Sequence, residues 1–283
     1  MKVHKTRALV IAVALLVAAS ASLTSCQKVT GGRYVQQVFA EYEQVASGET
    51  YRTALDFDLN ANIALKLDIW QPKGDTIDQR PAQMWMHGGA WTKGAGDRFS
   101  IQGYAQDAAR RGYVGVTIDY RLRNAAVLPD AVLDAYDDAE AAVAWLKTNA
   151  ARFRIDPQAI IAGGYSAGSI NAMNLVYPPF ERQPAGPPSV LGGFGIAGQN
   201  AGLAAADRAP VIMFSATNDT TVPYNGVKQR CDEDRAAGNI CDLVTYASGG
   251  HGIGFSQVND IEAKSAQFAM DKLLPRVGYY IGT

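Results

Sequence analysis

The chain has 283 residues, 48% of them hydrophobic, which is enough to build one domain around a full core. Its 26 Lys and Arg nearly balance 27 Asp and Glu, for a net charge of −1 with mixed signs throughout. No basic arm and no aromatic-interleaved basic stretch is present, so nucleic acid is excluded as an expected partner.

The N-terminus reads as an export signal. Lys2, Lys5 and Arg7 precede the apolar run Ala8 to Ala19, which has the length of a signal h-region and falls short of the ~20 residues a membrane span needs. The next stretch, Leu23-Thr24-Ser25-Cys26, resembles a bacterial lipobox. That resemblance implies lipid attachment at Cys26, which becomes the first residue of the mature chain. Gln27 behind it is compatible with outer-membrane sorting in a Gram-negative host. The alternative is cleavage after Ala19 or Ala21 and a secreted protein. The expected division is a signal peptide over 1–25, a linker or cover segment over 26–51, and the folded domain over 52–283.

Residues 54–70 alternate around Asn60-Ala61-Asn62 and predict a β-hairpin. From there strands and helices take turns. A strand over 82–87 leads to a helix near 99–112, and a strand over 113–118 leads to an amphipathic helix over about 130–152 carrying Trp145 and Leu146. The strand Ala159-Ile160-Ile161-Ala162 runs into a helix-forming segment from Ser169 to Val176. Leu191 to Ala197 reads as a further strand. The buried strand over 210–218 leads to a helix near 224–237, and the strand over 242–247 to a final helix near 256–274. This alternation predicts a doubly wound, mostly parallel α/β sheet with helices on both faces and with sites at the carboxyl ends of its strands. Only 177–188 and the N-terminal 28–50 are long enough to cover such a site, so any lid is minimal.

Chemistry concentrates at those carboxyl ends. Gly164-Tyr165-Ser166-Ala167-Gly168 sits at a strand-to-helix junction, which is the setting of a nucleophile elbow with Ser166 at its apex. A serine hydroxyl needs a general base, itself oriented by an acid. The sequence holds three histidines: His4 lies in the export signal, His87 precedes the serine in a separate motif, and His251 follows in the glycine-rich Ser248-Gly249-Gly250-His251-Gly252. His251 is therefore the expected base. In folds with this elbow the acid lies between serine and histidine, and Asp219, just past the apolar run 210–216, fits. Asp232, Glu233 and Asp234 share a helix with Lys228 and Arg230, where a solvated face accounts for them; Asp207 lies at the wrong end of its strand. His87-Gly88-Gly89-Ala90-Trp91 follows a strand, and its glycines let backbone N–H groups approach an oxyanion closely. The expected donors are Ala167 N–H and one or two of Gly88, Gly89 and Ala90. His87 is expected to buttress this loop, with Trp91 and Tyr165 as supporting neighbours.

These motifs, with Asp119-Tyr120-Arg121-Leu122, Asp219-Thr220-Thr221-Val222-Pro223 and Gly250-His251-Gly252, resemble the α/β-hydrolase carboxylesterases over roughly residues 52–274. The branch is that of bacterial esterases and lipases related to hormone-sensitive lipase and to acetyl and feruloyl esterases. The resemblance implies the α/β-hydrolase fold and hydrolysis of short-chain, aryl or acetyl esters through an acyl-enzyme. Arylformamidases share a similar His-Gly-Gly-x-Trp loop, so an amide hydrolase is the first alternative; a lipase or a polysaccharide acetyl or feruloyl esterase comes after it. Two departures stand out: Ala90 replaces the third glycine of the loop, and Arg123 to Pro129 lacks the Ala-Pro-Glu of relatives.

If Cys26 carries lipid, Cys231 and Cys241 remain as a pair bracketing a helix end and a strand start. They form either a disulfide in an oxidising compartment or two small buried hydrophobes. No grouping of His, Cys and carboxylates has metal-ligand spacing, so neither a metal nor another cofactor is expected. The expected partner is a small-molecule or polymer-borne ester, with membrane contact only through the N-terminal anchor.

Overall fold

The protein is described from a computed structural model covering residues 27–124, 128–182, 187–199, 202 and 205–281. Eight strands form the central sheet in the order β2-β3-β5-β4-β6-β7-β8-β9. They are β2 (Tyr42–Asp56), β3 (Ala61–Pro72), β4 (Arg80–Met86), β5 (Val114–Ile118), β6 (Ile155–Tyr165), β7 (Gly192–Ile196), β8 (Val211–Ala216) and β9 (Cys241–Tyr246). The pairs β2–β3 and β3–β5 are antiparallel; every pair from β5 to β9 is parallel. A separate two-stranded sheet joins β1 (Gln27–Val29) to β10 (Tyr279–Ile281) in parallel.

Side chains alternate along these strands, so each strand feeds two cores. Met84 and Met86 of β4 and Ile160 and Ala162 of β6 enter one layer. There they meet α2 (Leu128–Thr148) and α3 (Ala167–Val176) through small, buried residues such as Ala135, Ala139, Ala142 and Ala172. Alanine on the facing stripe lets a helix approach the sheet closely while keeping full helix propensity. Trp85 and Ile161, one residue along, point to the opposite layer. There they meet α1 (Gln102–Arg110) and α6 (Val258–Phe268), with Trp85 stacked on Tyr104 at 4.6 Å between ring centroids.

The structure extends the sheet further toward the N-terminus than the pattern suggested. The segment expected as linker or cover over 26–51 contains β1 and the first ten residues of β2. Three register shifts along β2 scramble its alternation, and Glu43, Gln44 and Glu49 on this edge strand disguise it as a polar loop. Nor does this segment cover the strands' carboxyl ends. Tyr34 is buried against Tyr113, just before β5, and against Tyr279 of β10, so it seals the opposite end of the sheet. The single final helix expected over 256–274 is instead broken. A short α5 (Ile253–Ser256) precedes α6, which ends in a wide turn over Ala269–Leu273 and a 3₁₀ turn over Leu274–Val277. Pro275 has no N–H to continue the ladder, and Gly278 at φ 92° turns the chain into β10.

α4 (Tyr224–Ala236) follows β8, and Cys231 on its inner face is disulfide-bonded to Cys241 at the start of β9. One turn on, Asp234 is 2% exposed. Burial pushes its carboxyl up to about 6, against the pull of Arg230 and hydrogen bonding with Tyr177. A carboxyl raised above its unfolded value binds its proton more tightly when folded. Its stabilising contribution is thus complete below pH ~4 and is lost as pH rises through about 6. Asp234→Asn should therefore be more stable than the parent at pH 8 by on the order of 1–3 kcal/mol, with the gain absent at pH 4. Urea unfolding at the two pH values measures it; an equal difference at both would contradict the assignment.

Candidate active site

β6 delivers the serine. Ser166 follows its last residue and precedes α3 as its N-cap, with φ 53° and ψ −119°, a left-handed conformation that costs a non-glycine residue about 1–3 kcal/mol. Two close approaches make the turn possible. A Cβ on Gly164 would lie 2.1 Å from the Gly168 carbonyl oxygen, and one on Gly168 would lie 2.1 Å from that of Met86. The elbow is locked from the next strand, since Ser166 N–H donates to the Ile196 carbonyl at 2.8 Å.

The histidine and the acid arrive from the far half of the sheet. Asp219 lies three residues past β8 and His251 five past β9. His251 Nε2 is 2.9 Å from Ser166 Oγ, and its Nδ1 is 2.9 Å from Asp219 Oδ2. The other oxygen, Asp219 Oδ1, accepts the N–H groups of Thr221 at 2.8 Å and Val222 at 3.0 Å. These bonds keep the carboxylate an acceptor, so His251 Nδ1 carries the proton it donates and Nε2 keeps a lone pair toward the serine. The Asp219 side chain is fully buried, whereas that of His251 is 24% exposed. His251 is therefore open to the surface while Asp219 stays shielded from water.

Tyr165 ties the loops together. Its hydroxyl donates to the His251 carbonyl at 2.9 Å. Its ring is wedged so closely against Gly88 and Gly254 that a Cβ on either would sit 2.9 Å or 2.8 Å from a ring carbon. Two further donors fix the histidine loop: Gly250 N–H reaches Asn218 Oδ1 at 2.9 Å, and the Tyr104 hydroxyl reaches the Gly254 carbonyl at 2.7 Å.

The loop after β4 stands over the serine, where a Cβ on Gly88 would also be 3.2 Å from the Ser166 Cβ. His87 is buried beneath it and stacks on Tyr120 at 4.3 Å. Desolvation lowers the His87 pKa and keeps the ring neutral. His87 Nδ1 lies 2.7 Å from the Gly88 carbonyl oxygen, and the Tyr120 hydroxyl donates to the His87 carbonyl at 2.7 Å. Because a peptide is planar and trans, turning the Gly88 carbonyl toward His87 turns the Gly89 N–H away from it. Ala90 and Trp91 follow with φ 50° and 57°. Trp91 is anchored by its indole N–H, which donates to Asn171 Oδ1 on α3 at 2.8 Å. Ala167, the first residue of α3, has no carbonyl one turn back for its N–H, which points out at the positive end of the helix.

The structure thus brings Ser166, His251 and Asp219 into one hydrogen-bonded chain, with Gly88 against Ser166 and Tyr165, and Ala167 next to the serine at the start of α3; Gly89 and Ala90 continue the loop from Gly88, His87 lies under it and Trp91 is tied to α3. Cys231 and Cys241 are bonded at a distance from the serine in sequence, between the acid and base segments. Cys26 lies outside the described residues. Among the described residues no group of His, Cys, Asp and Glu could hold a metal ion. Tyr120 and Asn171, which hold the loop after β4, were given no role in the sequence; Asp119-Tyr120-Arg121-Leu122 entered only as part of the family resemblance.

A mostly parallel sheet with a serine turn after one strand and Asp219 and His251 after later ones is the α/β-hydrolase fold. Residues 67–175 match the BD-FAE family, a span that takes in the 87–91 loop and Ser166 but not Asp219 or His251. A solved esterase from Thermogutta terrifontis with propionate bound is 25% identical, covering 79% of this chain and 93% of that one at a TM-score of 0.65. Among curated proteins, Gut esterase 1 of Caenorhabditis briggsae is 31% identical over 138 residues, 46% of this chain and 24% of that protein. Phenmedipham hydrolase of Pseudarthrobacter oxydans is 36% identical over 124 residues, 42% of this chain and 24% of that protein. The chain spans about a quarter of the length of the curated relatives it matches.

Proposed function

We propose that the protein is a serine hydrolase of carboxylic esters with short acyl or aryl groups. The observation that carries this reading is the unbroken chain from Asp219 through His251 to Ser166, with 2.9 Å at each link. Ser166 attacks the ester carbonyl while His251 takes its proton, and Asp219 stabilises the imidazolium. The tetrahedral oxyanion rests on the N–H groups of Ala167 and Gly89, the latter turned from His87 by the Gly88 carbonyl. Each such donor contributes on the order of 3–4 kcal/mol to lowering the barrier. His251 then protonates the leaving alcohol, and water, activated by the same imidazole, releases the acid. The esterase name of Gut esterase 1 supports an ester over an amide, and the propionate bound to the T. terrifontis esterase supports a short acyl group.

The export signal and its cysteine support a second proposal, that the mature protein hangs from a membrane by lipid on Cys26. β1 begins one residue later and is paired to β10, whose Tyr279 hydroxyl donates to Asp156 at the start of β6. Ser166 is at the other end of β6, so an anchor at Cys26 would leave the site facing away from the bilayer. Cys26→Ala, expressed in a Gram-negative host, should leave the membrane fraction and appear soluble. Retention in the membrane fraction by that variant would contradict the anchor.

Hydrolysis of p-nitrophenyl esters from acetate to palmitate tests the main reading. The mature protein should turn over the shortest members best. Asp219→Asn should lose about 10³–10⁴ in kcat with its fold intact, and Ser166→Ala should lose essentially all turnover. Hydrolysis of an aryl formamide without any ester turnover would contradict the ester reading.

A further inference from the structure

The 88–91 loop is under strain, and something outside the elbow holds it. Two successive non-glycine residues, Ala90 and Trp91, are left-handed. Such a backbone persists only where its surroundings over-determine it. On the inner side it is held by the bonds to His87 and Asn171. The outer side meets the turn between β2 and β3, far away in sequence. Lys93 Nζ lies 3.0 Å from Asp56 and 3.3 Å from Asp58, the two carboxylates of that turn.

Both carboxylates are themselves fixed. Asp56 is 5% exposed and its Oδ1 accepts the N–H groups of Asp58 at 2.9 Å and Leu59 at 3.1 Å. Asp58 Oδ2 accepts the N–H of Asn124 at 2.9 Å. Arg123 closes the ring. Its guanidinium lies 4.4 Å over the Phe57 ring, its N–H donates to the Trp91 carbonyl at 2.8 Å, and its own carbonyl accepts Lys93 N–H at 3.3 Å. The turn, the loop and the segment after β5 are therefore one connected unit, with Lys93 as its cationic link.

We propose that Lys93 is a positioning residue: bridging Asp56 and Asp58, it holds the 88–91 backbone at the place where its N–H groups meet the oxyanion. The inference rests on the ester-hydrolase reading for its kinetic consequence, though not for its structural one. As a partly exposed ion pair Lys93 would contribute little to stability, ~0–1 kcal/mol. Its effect on the loop is a different matter, because a displacement of ~1 Å at a reacting geometry can cost on the order of 100-fold in rate.

Lys93→Met and Lys93→Arg separate the two. Active sites are counted by the p-nitrophenol burst with diethyl p-nitrophenyl phosphate, and kcat for p-nitrophenyl acetate is expressed per titrated site. Lys93→Met should lose roughly tenfold or more in kcat per site with KM changed by less than about twofold. Its Tm should hardly move, and Lys93→Arg, which can span both carboxylates, should recover most of the rate. Hydrogen exchange of the 88–92 amides should accelerate in Lys93→Met and stay at the parent level in Lys93→Arg. An unchanged kcat per site in Lys93→Met, an equal loss in both variants, or unchanged exchange overturns the clamp. If the parent fails to hydrolyse any ester, the ester reading falls, and the exchange result alone decides the clamp.

Discussion

The left-handed backbone of Ser166 is the constraint on which the rest of the site depends. A serine at φ 53° is held above the sheet only if the chain on either side passes within contact distance of its neighbours. That requirement explains Gly164 against Gly168 and Gly168 against the Met86 and His87 carbonyls. It also ties the elbow to two strands at once: the serine N–H bonds to the end of β7, and the glycines lean on the end of β4. The strain is sustained because the sheet beneath is fully buried on both faces, with Met86, Ile161, Ile196 and Phe214 at or near zero exposure. A rigid floor lets a costly local conformation persist.

Around that apex three loops with no sequence proximity must agree to within a hydrogen bond. Tyr165 does much of this coordination from the residue next to the nucleophile. Its ring spaces Gly88 on one side and Gly254 on the other, and its hydroxyl holds the His251 carbonyl. Gly88 therefore serves two ends, since a side chain there would collide with both Tyr165 and Ser166. The disulfide between α4 and β9 belongs to the same logic. It ties α4 to β9, the two elements that lie between Asp219 and His251 in the chain.

Most of the parallel core was legible because buried strands announce themselves as short apolar runs with glycine or turn residues behind them. β5, the 159–162 part of β6 and β8 have that form, and the three histidines narrowed the search for a base to His251. The losses lie where alternation fails. β2 was hidden by its bulges and its charged edge, although it contributes the Asp56 that Lys93 grips. β10 and β1 are three residues each and pair across the whole chain, beyond the reach of any local pattern. In the site, the residue types were readable but their couplings were not. Nothing in the spacing relates Trp91 to Asn171, Tyr120 to His87 or Lys93 to the β2–β3 turn. Those contacts exist only once the sheet is assembled.

The account turns on Ser166 being a nucleophile activated by His251, and covalent labelling tests that directly. The mature protein, its His251→Ala variant and its Ser166→Ala variant would each be treated with a fluorophosphonate and the adduct located by peptide mass spectrometry. The account predicts one adduct on the parent, at Ser166, with labelling strongly slowed in His251→Ala and absent from that position in Ser166→Ala. An unlabelled parent, or an adduct on a residue other than Ser166, would contradict it.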